Sequence, residues 1–196
     1  MGGMLNLSES FGVLKNLPLA KRIVVGSKSD LGKFDFPYYM KIDSAEHKLK
    51  LGGVLLCENL VDANKGYDDF NKKFKGIGIV IQEKVEGIEL IVGVKSDVVF
   101  GRVIVVGFGG SDVENEGDVV FRALRLNRGD VREMLKELSG YKKISRGLRE
   151  KVITFIEKVG FLVDYYNIVE MDLNPVILVE KGKSKGPVVV DARVRI

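Results

Sequence analysis

A few side chains in this sequence can do phosphate chemistry, and their spacing is the place to begin. Lys41 closes the apolar stretch Tyr38-Tyr39-Met40. A lysine at the end of a strand supplies a point charge for phosphate oxygens. His47 is the only histidine, with Lys48 and Lys50 beside it. An imidazole can attack phosphorus and hand the phosphoryl group on, and neighbouring cations stabilise the added charge. Gly52-Gly53 and Gly107-Phe108-Gly109-Gly110 are turns where the backbone can approach a phosphate closely. Neither is a Walker A sequence or a dinucleotide fingerprint. Glu83 and Glu89 bracket a strand connection, where a carboxylate can accept hydrogen bonds from ribose hydroxyls and main-chain groups can pair with an adenine edge. Asn174 and Asp191 stand at the ends of two closing strands. If those strands pair antiparallel, the two hard oxygen ligands meet at one end of a sheet and suit Mg²⁺ carrying nucleotide phosphates. Taken singly, each of these residues is more simply a solvated lysine, a surface histidine, a plain turn or an exposed acid.

The elements that must position them are legible from periodicity. Strands are expected at Arg22–Val25, Tyr38–Ile42, Val54–Cys57, Ile77–Ile81, Leu90–Val94, Val103–Val106, Val176–Val179 and Val188–Val190. Tyr67, Phe70 and Phe74 recur at helical spacing. Asn127 can cap a helix reaching about Leu138, with Asp130 in its first turn. A second helix over Leu148–Val163 carries the stripe Val152, Ile153, Ile156, Val159. The order predicts an α+β protein with a lobe boundary near residues 76–84, where Gly76 and Gly78 lie: a small lobe over 1–80 and a larger one over 81–196.

Composition narrows the class. The chain has 196 residues, 45% of them apolar, enough for one domain or two small lobes. A net charge of +4 with signs mixed along the chain argues against a nucleic-acid binder and suits a polyphosphate ligand. The single cysteine, Cys57, excludes an internal disulfide and favours a reducing, cytoplasmic compartment. No apolar run reaches the ~20 residues of a membrane span, and the first ten residues lack a secretory pattern. The 30% charged fraction with one glutamine, Gln82, resembles a thermophile's balance.

The ordered set of motifs resembles a known family. Met40-Lys41, His47-Lys48, GGV at 52–54, IQEKVEGIELIVGV at 81–94, FGRVIVVGFGG at 100–110, DVVFR at 118–122, REMLKELSGYK at 132–142, EMDLNPVILVEKG at 170–182 and VVVDARV at 188–194 stand in the order of the ATP-grasp subunit of ADP-forming acetyl-CoA (acyl-CoA) synthetases, relatives of the succinyl-CoA synthetase β subunit. The resemblance implies an ATP-grasp fold with a nucleotide cleft between two α+β lobes. It implies that Lys41, the Gly52-Gly53 turn and Arg122 handle phosphates, that the backbone of Glu83, Lys84 and Val85 reads adenine, and that Glu89 holds the ribose. Asn174 and Asp191 would bind Mg²⁺. His47 would be a phosphohistidine relaying a phosphoryl group between ATP/ADP and a CoA-binding α-type partner subunit. The implied reaction is acyl-CoA + ADP + phosphate ⇌ acid + CoA + ATP.

The sequence also departs from that family. Leu49-Lys50 stand where it usually has a hydroxyl residue and an acid, the segment after Gly110 is more acidic, and the N-terminal helix and the Cys57–Gly76 segment look trimmed. These departures keep open a diverged, non-catalytic nucleotide-binding or assembly partner. A third alternative, an ATP-grasp ligase joining a carboxylate to an amine, needs no histidine carrier, and the match at His47 speaks against it.

Overall fold

The computed structural model describes residues 3–46, 48–109, 118–180 and 185–196. The chain divides into two compact units. One contains Leu5–Glu9 and Ala20–Lys84; the other contains Met1–Met4, Ser10–Leu19 and Val85–Ile196. Helix α1 (Leu7–Val13) contributes residues to both.

The smaller unit is a four-stranded antiparallel sheet with one long helix. Its strands β1 (Arg22–Val25), β2 (Tyr38–Ile42), β3 (Val54–Cys57) and β4 (Ile79–Glu83) lie in the order β1-β4-β2-β3. Helix α2 (Leu60–Lys73) begins earlier than the aromatic spacing at Tyr67 predicts, because Asn59 caps it by accepting from the amides of Val61 and Asp62. Its buried face is Ala63, Gly66 and Phe70, spaced i, i+3, i+7. Gly66 is where helix and sheet touch: a β-carbon there would come within 2.3 Å of Leu55 Cδ2. Tyr38, Met40, Ile42, Ile79 and Ile81 form the core with Cys57 and Phe70. The alternation of strand side chains therefore turns Tyr39, Lys41, Val80 and Gln82 to the opposite face.

In the larger unit, a sheet in the order β10-β8-β5-β6-β7, with β9 also paired to β8, carries helices on one face. The strands are β5 (Ile88–Asp97), β6 (Gly101–Phe108), β7 (Val119–Ala123), β8 (Glu170–Val179), β9 (Gly186–Val189) and β10 (Arg193–Arg195). Helices α3 (Arg128–Glu137) and α4 (Arg146–Tyr165) follow the expected amphipathic segments. Asn127 and Asp130 make a reciprocal cap at the start of α3. Leu90, Val92, Val94, Ile104, Val106, Met171 and Leu173 are buried with Val131, Leu135, Val152 and Ile156 of the helices. The intervening positions Glu89, Ile91, Gly93, Val103 and Val105 form the other face of the sheet. Three elements exceed the sequence expectation. Strand β7 was anticipated only as a motif, and β5 and β8 each run to ten residues. Among the described residues, no helix is long and apolar enough to cross a membrane.

Candidate functional site

In the smaller unit, Lys41 lies mid-sheet, opposite Val54 on β3 and Val80 on β4. It is 6% exposed, although lysines are rarely buried. Next to that row, Arg22, Gln82 and Tyr39 sit across from one another on three strands. Sequence reasoning missed Gln82 as a site residue. Its side chain is 1% exposed, and neither its amide nitrogen nor its oxygen has a hydrogen-bond partner. A buried carboxamide left so costs about 1–3 kcal/mol, which is why native proteins normally give such a group a partner. The available signal was strand parity, since Gln82 is two residues beyond Val80 and so shares a face with Lys41.

The Gly52-Gly53 turn has a structural explanation. Gly52 has φ +68°, a region that disfavours side chains. A β-carbon on Gly53 would fall 2.5 Å from Ile42 Cδ1 and 3.2 Å from the Lys48 carbonyl. The Gly52 amide donates to the Leu49 carbonyl at 3.0 Å and the Gly53 amide to the Lys48 carbonyl at 2.7 Å. Both N–H groups are thus engaged within the turn. Lys73, in the last turn of α2, fastens the same loop by donating to the Leu51 carbonyl at 2.8 Å. His47 lies outside the described residues. Lys48 beside it is 2% exposed.

The strip proposed to read adenine crosses from one unit to the other, Lys84 ending the first and Val85 starting the second. Glu83 is held at the end of β4: its carboxylate accepts from the Lys21 amide at 2.8 Å, and its own amide donates to the Lys21 carbonyl at 3.0 Å. Lys84 is exposed and Val85 half-buried.

In the larger unit, Glu89 is exposed near the start of β5. Gly109 runs close alongside, its amide donating to the Glu89 carbonyl at 2.9 Å. A β-carbon on Gly109 would lie 3.4 Å from a Glu89 carboxylate oxygen.

Asn174 and Asp191 are brought together by register. Strand β9 pairs β8 from Val179↔Gly186 to Val176↔Val189, and β10 pairs the same strand from Asp172↔Arg193 to Glu170↔Arg195. Both ladders follow one antiparallel register, so the interruption between them sets Asn174 directly opposite Asp191. The Val190 amide donates to the Pro175 carbonyl at 3.3 Å and carries the register through the gap. Directly opposed side chains have β-carbons about 4.5–5.5 Å apart, close enough to share one ion. On its other side β8 bulges against β5, the pairing shifting between Leu90/Val176 and Val92/Leu173. The extra residue turns Asn174 outward, and it is exposed.

Glu170 and Asp172, two nearby acids, are paired to Arg195 and Arg193, the latter at 3.6 Å. Their charge is offset locally, and the Asp191 carboxylate accepts from the Ala192 amide at 3.0 Å, which helps fix its place across from Asn174. Among the described residues, no three His, Cys, Asp or Glu side chains converge. Mg²⁺ is commonly held by one or two protein oxygens, with phosphate and water oxygens completing its shell.

Arg122 is not brought to this group. It sits opposite Ile104, whose side chain is buried, and therefore points to the helix-bearing face. There it is ion-paired with Glu137 of α3 and donates to the Phe121 carbonyl at 2.7 Å.

Comparison with known proteins shows the family. The model of the ATP-grasp domain family matches residues 4–196. The chain is 40% identical over 183 residues to the β subunit of the ADP-forming acetate–CoA ligase II of Pyrococcus furiosus, covering 81% of this chain and 75% of that one. It is also 40% identical over 170 residues to the ADP-forming acetate–CoA ligase II of Archaeoglobus fulgidus, covering 81% of this chain but 24% of that protein. The chain thus spans only about a quarter of the length of that relative. Among solved structures, an acetyl-coenzyme A synthetase 1 chain of Ca. Korarchaeum cryptofilum, in complex with coenzyme A and Ca-AMPCP, superposes with a TM-score of 0.81 at 30% identity, covering 98% of this chain and 93% of that one. The chain is a member of the ATP-grasp family, in the branch of the ADP-forming acetate–CoA ligase β subunits.

Proposed function

We propose that the chain is the nucleotide-binding part of an ADP-forming acyl-CoA synthetase, catalysing acyl-CoA + ADP + phosphate ⇌ acid + CoA + ATP together with a CoA-binding partner in the cytoplasm. The observation that carries the proposal is the single register along β8, which opposes Asn174 and Asp191 while the neighbouring acids are neutralised by arginines. These two oxygens would hold Mg²⁺, which supplies charge neutralisation on the phosphates. Lys41 adds a cation for the phosphates. The main chain of Glu83, Lys84 and Val85 would meet the adenine edge, Gln82 would find there the partner it lacks, and Glu89 would accept from the ribose.

His47 would be the relay. Its imidazole forms a P–N bond as the bond between the terminal phosphorus and the ADP oxygen breaks. In the other half the phosphoryl group passes to the partner and the imidazole is restored. With the amides of Gly52 and Gly53 engaged in their own turn, phosphate contact in this region falls to the side chains of Lys41, His47 and Lys48. Arg122, held by Glu137, would reach phosphate only after exchanging that partner.

Calorimetric titration with ADP and ATP, with and without Mg²⁺, tests the proposal. Wild type should bind in a metal-dependent manner, and Asn174→Ala and Asp191→Ala should each lose that dependence. Binding that is indifferent to Mg²⁺ and to both substitutions rejects the metal corner. The Leu49-Lys50 departure favours one second reading, a nucleotide-binding subunit without the relay. Phosphate appearing on His47 after incubation with labelled ATP and the partner decides against it, and unlabelled protein decides for it.

A further inference from the structure

One surface of the larger unit is unlike the rest. Strands β5 and β6 join through Val98, Val99 and Phe100, between the paired residues Asp97 and Gly101. The three side chains are 101%, 78% and 72% exposed. Hairpin tips are normally polar, because three adjacent apolar residues in water are an aggregation liability. This tip is nevertheless held in a defined shape. The Asp97 carboxylate accepts from the amides of Val99 and Phe100 at 2.8 and 2.9 Å, and Gly101 takes φ +72°. Those two amides hold the Asp97 carboxyl below the usual carboxylate range.

The tip continues onto the face of the sheet opposite the helices. Phe100 there shares a shallow depression with Val103, Val105 and Phe121. Phe121 is 59% exposed. Gly93 forms part of the floor, and a β-carbon on it would press to 2.8 Å from Val105 Cγ1. The result is an apolar centre on a rigid support, rimmed by the charged side chains of Lys95, Asp97, Glu170, Asp172 and Arg193. Contiguous exposed patches of this kind mark binding surfaces.

What covers it follows from the lengths of the relatives and the position of the domain's two ends. The 4-hydroxybutyrate–CoA ligase of Nitrosopumilus maritimus matches 96% of this chain within 30% of its own length. Its remaining polypeptide joins the matched segment at one or both ends. In this chain Met4 bridges to Arg195, and Arg195 pairs Glu170, which pairs Lys95. Both ends of the domain therefore lie on one transverse row of the sheet, two residues from Asp97. At about 4.8 Å per strand and 3.4 Å per residue, polypeptide continuing from either end starts within about 20 Å of the hairpin tip.

Resting on the function proposed above, we infer that the β5–β6 tip and the Phe100/Phe121 depression are the docking surface for the CoA-binding polypeptide. Phe100 and Phe121 are its apolar anchors, of the kind that dominates interface energetics.

The test mixes this chain with the companion subunit of the Pyrococcus furiosus acetate–CoA ligase II and measures complex formation by calorimetry and light scattering. Wild type should form a complex. Val98→Asp and Phe100→Ser should each weaken it at least tenfold while leaving Mg-ADP binding and the melting temperature unchanged. Val98 is fully exposed, so Val98→Asp reads docking free of any folding defect. Phe161→Ser, on an exposed aromatic of α4, should leave the complex intact. Wild-type affinity in both tip variants overturns this surface and leaves the proposed function standing. If wild type fails to bind the companion, the partner assignment falls, and the surface with it. A wild-type homodimer that Val98→Asp converts to monomer would instead make this an interface between copies, and overturns the inference as well.

Discussion

The Gly52-Gly53 turn and the Asn174–Asp191 corner make an instructive pair. Both were singled out as places to meet a phosphate-bearing ligand. The turn is closed on itself: both amides are engaged, Gly53 presses on Ile42, and Lys73 fastens the loop from behind. The corner is built by a break in the pairing. Its strands end their regular pairing there, a bulge turns Asn174 outward, and the surrounding acids are already paired. Glycine gives a backbone freedom, and the fold can consume that freedom for itself. The opposed oxygens have a local use too, since the Asp191 carboxylate accepts from the Ala192 amide at 3.0 Å, but a carboxylate can accept from several donors at once whereas an amide has a single hydrogen to give, so the pair is the better indicator of a ligand.

That contrast can be broken by mutation. The largest effect should come from Asp191→Ala, which should weaken Mg-dependent ADP binding by roughly ten- to hundred-fold, with Asn174→Ala close behind. Calorimetry reads both, and equal affinities with wild type would remove the corner from the site. Next, Gly52→Ala should cost about 1–2 kcal/mol in denaturant unfolding because of its left-handed backbone, with ADP affinity unchanged. A loss of affinity without loss of stability would return the turn to the phosphate site.

Arg122→Ala should cost less than about 1 kcal/mol, the usual scale of an ion pair this exposed. It should leave nucleotide affinity as it was; a tenfold drop would show that Arg122 leaves Glu137 for the ligand. The smallest effect belongs to Cys57, whose thiol burial pushes up to about 11, with Asp62 adding to the shift. The native thiol should resist iodoacetamide at pH 8. Because the folded value is the higher one, any stability it contributes is complete below pH 9 and is lost as the pH rises towards 11. Native alkylation as fast as in denaturant would show that the pocket opens readily.

Much of this was legible in the sequence, and for identifiable reasons. Strands β1, β2 and β3 were placed because short apolar runs between turn residues have few alternatives. Helix α3 was placed by its Asn127 cap. Helix α2 was seen only from Tyr67, because in its first half, LVDANKG, the larger apolar residues Leu60 and Val61 are exposed and off the buried stripe, and the signal at Asn59 is a cap rather than a period. Strand β7 was seen only as a motif because its pattern follows from an edge position, exposed on one face and ion-paired at Arg122 on the other. The opposition of Asn174 and Asp191 was anticipated from strand ends alone. The neutralisation of Glu170 and Asp172 was not, since it depends on which arginine falls opposite which acid once the register is set. Gln82 escaped for a related reason: only a structure shows that a buried amide has no partner.

The shared register of β9 and β10 along β8 also bears on how the site comes into being. Asn174 and Asp191 belong to one hairpin of adjacent strands, so the chain closes only a short loop to bring them together. The metal corner can therefore form early and locally during folding, before more distant parts of the chain have found one another. The same locality makes spacing, rather than side-chain identity alone, a condition for function. One residue inserted between Val189 and Asp191 would displace Asp191 from Asn174, whereas extra residues between β8 and β9 would lengthen the connection and leave the pair aligned.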